Sequence, residues 1–274
     1  MKVLLCSDGS PQAEAAVEFG GLLASGETAL VGLGEALETS LARSQARLAE
    51  KGVEARLLPG PASLVSLSDE YDLLVIGGLR QARPAKVYPL IREASSAVLL
   101  VGEARAQLKK ILVCTAGGYK GRRAVRFTAA IAKATGASVT LFHVMAEPPR
   151  IFEDMEDEED IEWLMRSKSG LARSLERQLK ILAAVGVPHQ LRLRYGLVLE
   201  EIADEIETGD FDLIVTGTHP TGDFLAGWMM GDMTRSLVEQ VDRPILIVRT
   251  AGRAENWLGK LARKVLPAGW LRRQ

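Results

Sequence analysis

A chain that repeats itself must fold the same pattern twice and pack the copies together, so an internal repeat constrains architecture more than any single motif. Residues 2–10, Lys-Val-Leu-Leu-Cys-Ser-Asp-Gly-Ser, are answered by residues 110–118, Lys-Ile-Leu-Val-Cys-Thr-Ala-Gly-Gly, at an offset of 108. The same offset aligns Ala16-Val17-Glu18-Phe19 with Ala124-Val125-Arg126-Phe127. Gly52-Val53 then answers Gly186-Val187, and Tyr71-Asp72-Leu73-Leu74-Val75-Ile76-Gly77 answers Phe211-Asp212-Leu213-Ile214-Val215-Thr216-Gly217. Last, Ala97-Val98-Leu99-Leu100-Val101 answers Pro244-Ile245-Leu246-Ile247-Val248. Five ordered matches imply a duplication, with units at about 1–104 and 108–250 and a remainder at 251–274. A length of 274 residues agrees, because cores of about 150 residues are usual for one domain.

Within each unit, short apolar runs alternate with longer segments of helical spacing, the signature of βαβ units on a parallel sheet. Leu73–Ile76, Leu213–Val215 and Ile245–Val248 are continuously apolar, as strands buried on both faces should be. The second unit predicts strands near 110–115, 138–144, 189–194, 211–216 and 244–248, with helices at about 121–135, 161–184, 197–208 and 231–241. The expected fold class is therefore α/β: two repeated doubly wound domains, each a five-stranded, mostly parallel sheet flanked by helices. Ligands belong beyond the carboxyl ends of such strands.

A net charge of −1 disfavours binding to a nucleic-acid backbone, so no nucleic-acid partner is expected. No run of about 18 apolar residues and no signal-peptide pattern occurs, which predicts a cytoplasmic chain. The two cysteines, Cys6 and Cys114, sit at equivalent strand positions, expected to be buried in different sheets and far apart. His143 and His189 read as structural, with no metal site. Eight of the ten residues from Glu153 to Glu162 are acidic; they read as a solvated loop feeding the helix at 161–184.

The first strand of each unit ends in a tight turn, Ser7-Asp8-Gly9-Ser10 in one and Thr115-Ala116-Gly117-Gly118 in the other. The fourth strand of the second unit ends in Gly217-Thr218-His219, followed by a helix and a last strand that begins Arg243-Pro244. In these features each unit resembles a universal stress protein domain, and the likeness covers all but the last 24 residues. The resemblance implies a flavodoxin-like strand order and a nucleotide site, with ATP and magnesium as its candidate ligands; no cofactor is required by anything else in the chain. In nucleotide-binding members an acid after the first strand contacts the nucleoside, and a glycine-rich loop after the fourth strand holds phosphate on backbone amides.

Carried over position by position, the implied site in unit two comprises Thr115, Gly117, Val144, Gly217, Thr218, His219, Gly222, Gly231, Asp232 and Met233. In unit one it comprises Ser7, Asp8, Gly9 and Gly77. Both sites are degenerate. Ala116 replaces the acid of unit two, Pro220 the second loop glycine, and Asp232 a hydroxyl, bringing negative charge to a helix start where phosphate would sit. Unit one keeps Asp8 but has no second glycine-rich segment after Gly77-Gly78-Leu79-Arg80. Asp8 is equally open to a plain reading in which it shapes the turn and caps the next helix. His219 is open to backbone hydrogen bonding.

Two further features carry chemistry. Ala116-Gly117-Gly118-Tyr119-Lys120-Gly121 nearly spells a dinucleotide fingerprint, and Lys120, Arg122 and Arg123 add positive charge suited to an anion, but the acid that fingerprint needs after the second strand is absent. Residues 251–274 are basic and carry Trp257, Leu258, Leu261, Val265, Leu266 and Trp270 at roughly helical spacing. They are expected to dock on the protein or across a homodimer interface, with a membrane surface as the rival partner. No nucleophile elbow or Walker loop occurs. The chain is thus expected to be a non-enzymatic stress-response or regulatory binding protein whose units pair as an intramolecular pseudo-dimer. The alternative is a sensor that binds ATP or another nucleotide in unit two.

Overall fold

The computed structural model describes residues 1–34, 37–60, 63–77, 84–118, 121–145, 157–218 and 235–249. The first half runs β1 (Val3–Ser7), α1 (Pro11–Gly21), β2 (Thr28–Gly32), α2 (Glu38–Glu50), β3 (Ala55–Leu58), α3 (Leu64–Leu67), β4 (Leu73–Gly77), α4 (Pro84–Glu93), β5 (Ala97–Val101). The second runs β6 (Lys110–Cys114), α5 (Arg122–Thr135), β7 (Ser138–Met145), α6 (Asp157–Arg166), α7 (Gly170–Ala184), β8 (His189–Tyr195), α8 (Val198–Gly209), β9 (Leu213–Thr218), a helical segment over 235–240, and β10 (Ile245–Arg249).

The ten strands of the described residues form one sheet in the order β3-β2-β1-β4-β5-β10-β9-β6-β7-β8. Each half has the same doubly wound order, and every pairing within a half is parallel. The halves meet where β5 and β10 pair antiparallel, with Leu99 opposite Leu246, Leu100 opposite Ile245 and Val98 opposite Ile247. Leu99 and Leu246 are equivalent positions of the repeat, so the register is that of a two-fold contact whose axis passes between them. The halves therefore join by direct pairing of their last strands. This also corrects one expectation: Cys6 and Cys114 lie in the same sheet. Five strand spacings of about 4.8 Å still separate β1 from β6 by roughly 24 Å.

Alternate strand residues feed two core layers. Val3, Leu5, Val75, Leu99, Val113, Val215 and Leu246 face the layer built with α1, α5 and α7, whereas Leu4, Cys6, Ile76, Leu100, Leu112, Ile214 and Ile247 face the opposite one, with α4, α8 and 235–240. Burial on both faces explains the uninterrupted apolar runs. Across the joint, α4 and the segment over 235–240 share the second layer through Leu90, Ile91 and Leu237. There Tyr88 Oη donates to Glu239 Oε1 at 3.0 Å, and the Arg235 guanidinium lies 5.3 Å from the Tyr88 ring centre. Arg249, ending β10, donates to the carbonyls of Ile91 and Arg92 at the carboxyl end of α4, where cations are favoured.

The helix expected over 161–184 is two helices. Lys168 takes a left-handed φ of 49°, and Ser169 caps α7 by accepting from the Ala172 amide at 3.1 Å. A Ser at the cap followed by Gly170 makes the break favourable despite continuous helical spacing. The acidic run is likewise not all loop, because α6 begins at Asp157 and takes in its second part; residues 153–156 lie outside the described residues. Among the described residues no helix is long and apolar enough to cross a membrane.

Candidate functional site

The carboxyl ends of β1 and β4, and of β6 and β9, define two equivalent edges where each half would receive a ligand. In the second half the turn after β6 is built around Thr115. Its Oγ1 accepts from the Gly117 amide at 3.1 Å and donates to Gln178 Oε1 at 2.9 Å. Gln178, wholly buried on α7, turns its Nε2 to the Gly118 carbonyl at 3.3 Å. His143 Nδ1 lies 2.7 Å from the Thr115 carbonyl; a carbonyl can only accept, so Nδ1 carries the proton. Burial holds His143 below its ordinary value, partly opposed by that hydrogen bond, and the ring is neutral at pH 7.

Gly117 has a left-handed φ of 75°, and a Cβ there would lie 2.2 Å from Leu171 Cδ1. Leu171 and Gln178 of α7 thus close over the turn. Residue 116 carries no acid that could meet a nucleoside. At the end of β9 there is more room: a Cβ on Gly217 would be 3.8 Å from the Val248 carbonyl oxygen and 3.9 Å from Ala124 Cβ, ordinary contact distances. Thr218 ends β9 opposite Arg249. Val144 packs at the margin of the second core layer. His219, Gly222, Gly231, Asp232 and Met233 lie outside the described residues, as do Lys120 and the tail at 251–274.

The first half repeats the turn with different occupants. Ser7 Oγ accepts from the Gly9 amide at 3.2 Å, as Thr115 does for Gly117. Asp8 Oδ1 accepts from the Ser10 amide at 3.0 Å, so Asp8 shapes the turn; the helix cap is Ser10, whose Oγ accepts from Ala13 at 3.1 Å ahead of Pro11 at the helix start. Gly77 is unlike Gly217. A Cβ there would stand 2.4 Å from Ala16 Cβ and 2.8 Å from Ala13 Cα, so α1 rests directly on the backbone that ends β4. Ser7, Asp8 and Gly9 are brought together, and Gly77 serves helix packing.

Sequence reasoning missed Gln178, Leu171 and a half-buried ion pair. Gln178 sits with Leu171, Leu175 and Leu182 on the apolar stripe of α7, and a polar residue on such a stripe is the signal that was there to read. Glu205, buried on α8, takes Arg192 Nη1 on both carboxylate oxygens, at 2.7 and 3.0 Å. Its charge adds to burial in pushing the Cys114 thiol up to about 12; burial alone does the same to Cys6, and both are inert as nucleophiles at neutral pH. His189 Nδ1 meets the Val187 carbonyl at 2.7 Å, a structural contact. Among the described residues no three His, Cys, Asp or Glu gather as a metal site.

The family model for the universal stress protein family matches residues 107–249, more than half of the chain. The chain belongs to that family. A universal stress protein from Archaeoglobus fulgidus DSM 4304 superposes over 91% of this chain and 98% of its own, with a TM-score of 0.66 at 13% identity. A functionally unknown protein from Pseudomonas aeruginosa PAO1 covers 96% of this chain and 97% of its own, with a TM-score of 0.63 at 16% identity. At such identities the likeness is one of fold, and it extends over both halves. A universal stress protein from Archaeoglobus fulgidus in complex with dAMP matches 53% of this chain and 99% of its own at 18% identity and a TM-score of 0.36, too loose a likeness to bear on this chain's ligand. No curated protein matches the sequence.

Proposed function

We propose that this universal stress protein acts in the cytoplasm as a non-enzymatic, stress-response binding protein, with two domain-like units, 1–104 and 108–250, joined as an intramolecular pseudo-dimer and nucleotide sites that have degenerated. The observation that carries this reading is the closed β6–α5 turn. Gln178 bridges Thr115 and Gly118, Leu171 fills the space over Gly117, and Ala116 offers no charge to a nucleoside. The packing of α1 on Gly77 supports the same reading for the first unit. A second reading, a nucleotide sensor in unit two, is favoured by one feature: the open backbone at Gly217 beside the start of α5, where amides and dipole suit an anion.

Thermal unfolding of the purified chain with and without ATP and magnesium tests the proposal. A ligand at 100 times its Kd stabilises by about 2.7 kcal/mol, a plain upward shift in Tm. No shift at millimolar ATP is the expected result; a clear shift selects the sensor reading.

A further inference from the structure

The outer margin of the second half carries apolar surface that the fold leaves open. Leu197 is 67% exposed, Val198 37% and Trp163 41%. Two helices that embrace the last strand of the sheet place them. α6 packs on β8 through the layer containing Ile161 and Leu164, and α8 covers the other face through Ile202 and Ile206. β8 ends the sheet, so among the described residues its outer edge pairs with no strand. The surroundings are acidic. Glu200 and Glu201 lie in the first turn of α8, which also carries Asp204 and Glu207 and no basic residue, while Glu205 is buried against Arg192 and, on α6, Glu162 pairs with Arg166.

We propose that the apolar start of α8, Leu197 and Val198 with Glu200 and Glu201 beside them, is the docking surface for the chain's own carboxyl-terminal segment, 251–274. The chemistry is complementary. The segment has six Lys or Arg and one Glu, and Trp257, Leu261 and Val265 recur at helical spacing with Lys260 and Lys264 beside them. An apolar stripe flanked by cations fits an apolar surface flanked by carboxylates, and the exclusion of water from Leu197 and Val198 supplies the driving force. The reach suffices. β10, β9, β6, β7 and β8 are parallel, so Arg249 leaves the sheet at the same end as the start of α8. Four strand spacings of about 4.8 Å put that corner roughly 19 Å away. The 25 residues beyond Arg249 span about 37 Å even as a continuous helix.

Carbodiimide cross-linking of the full chain, followed by peptide mass spectrometry, tests the assignment. The expected products join Lys260 or Lys264 to Glu200, Glu201 or the acids of 153–162 within one molecule. All of them should be lost in a Leu197→Ser, Val198→Ser double variant, and the links to the acids of 153–162, which keep their carboxylates, should fall in a Glu200→Gln, Glu201→Gln variant, with thermal unfolding of the folded body retained. Three results would overturn the proposal: cross-links only between molecules, which assign the tail to a second copy; cross-links to another surface; or lysines that become protected only on vesicles containing phosphatidylserine. Cross-links that persist in both variants would overturn it too.

Discussion

Gln178 ties the second turn to α7, because one buried amide meets both the Thr115 hydroxyl and the Gly118 carbonyl. Gln178→Leu would leave both without that partner, and the expected loss is about 1–3 kcal/mol in urea unfolding. Steric closure over Gly117 gives a second prediction. Gly117→Ala combines a strained φ with a collision against Leu171, whereas Leu171→Ala opens the space, so the double variant should recover part of the single variant's loss. Full additivity in a double-mutant cycle would show that Leu171 does not close the turn. His143 supplies the pH dependence. Its folded pKa lies below its ordinary value of 6.5, so below about pH 6.5 the unfolded chain binds the extra proton. Its contribution to stability is therefore complete above that value and is lost as pH falls toward the depressed folded pKa. Urea midpoints followed from about pH 8 to about pH 5 should decline less steeply in His143→Gln than in the native chain.

At the scale of the element, the break between α6 and α7 turns on Lys168, a side chain held in the left-handed region. Lys168→Gly relieves a steric cost of roughly 1–2 kcal/mol, partly offset by the freedom glycine gains in the unfolded chain, and a small net rise in stability is expected on chemical unfolding. That break also marks a limit of what the sequence made legible. Strands could be read because burial on both faces leaves continuous apolar runs, and β4, β9 and β10 fall where those runs predict. Helical spacing, by contrast, continues through Ser167-Lys168-Ser169 and hides a change of direction that only capping chemistry marks. The turns were half legible. Ser7 and Thr115 stand where the motif puts them, but the residues that close the second turn come from α7, about sixty positions along the chain, which no local pattern connects to Thr115.

At the scale of the whole molecule, the repeat becomes a single ten-stranded sheet because each half buries the other's last edge. A unit comprising 1–104 alone would expose β5 as an unpaired apolar edge, and should self-associate through it; a stable monomer in sedimentation would show that β10 is not needed to cover that edge. Edge pairing, the Tyr88–Glu239–Arg235 group and the Arg249 contacts to α4 join the halves. The proposed binding role, with degenerate nucleotide sites, rests on the closed turn after β6. Calorimetric titration of ATP into the native chain, with and without magnesium, and into an Ala116→Asp, Asp232→Ser double variant, tests this most directly. The expected result is no measurable binding by the native chain and binding gained in the double variant, whose new acid restores a nucleoside contact and whose lost acid removes repulsion of phosphate. Micromolar binding by the native chain in the absence of metal would contradict it.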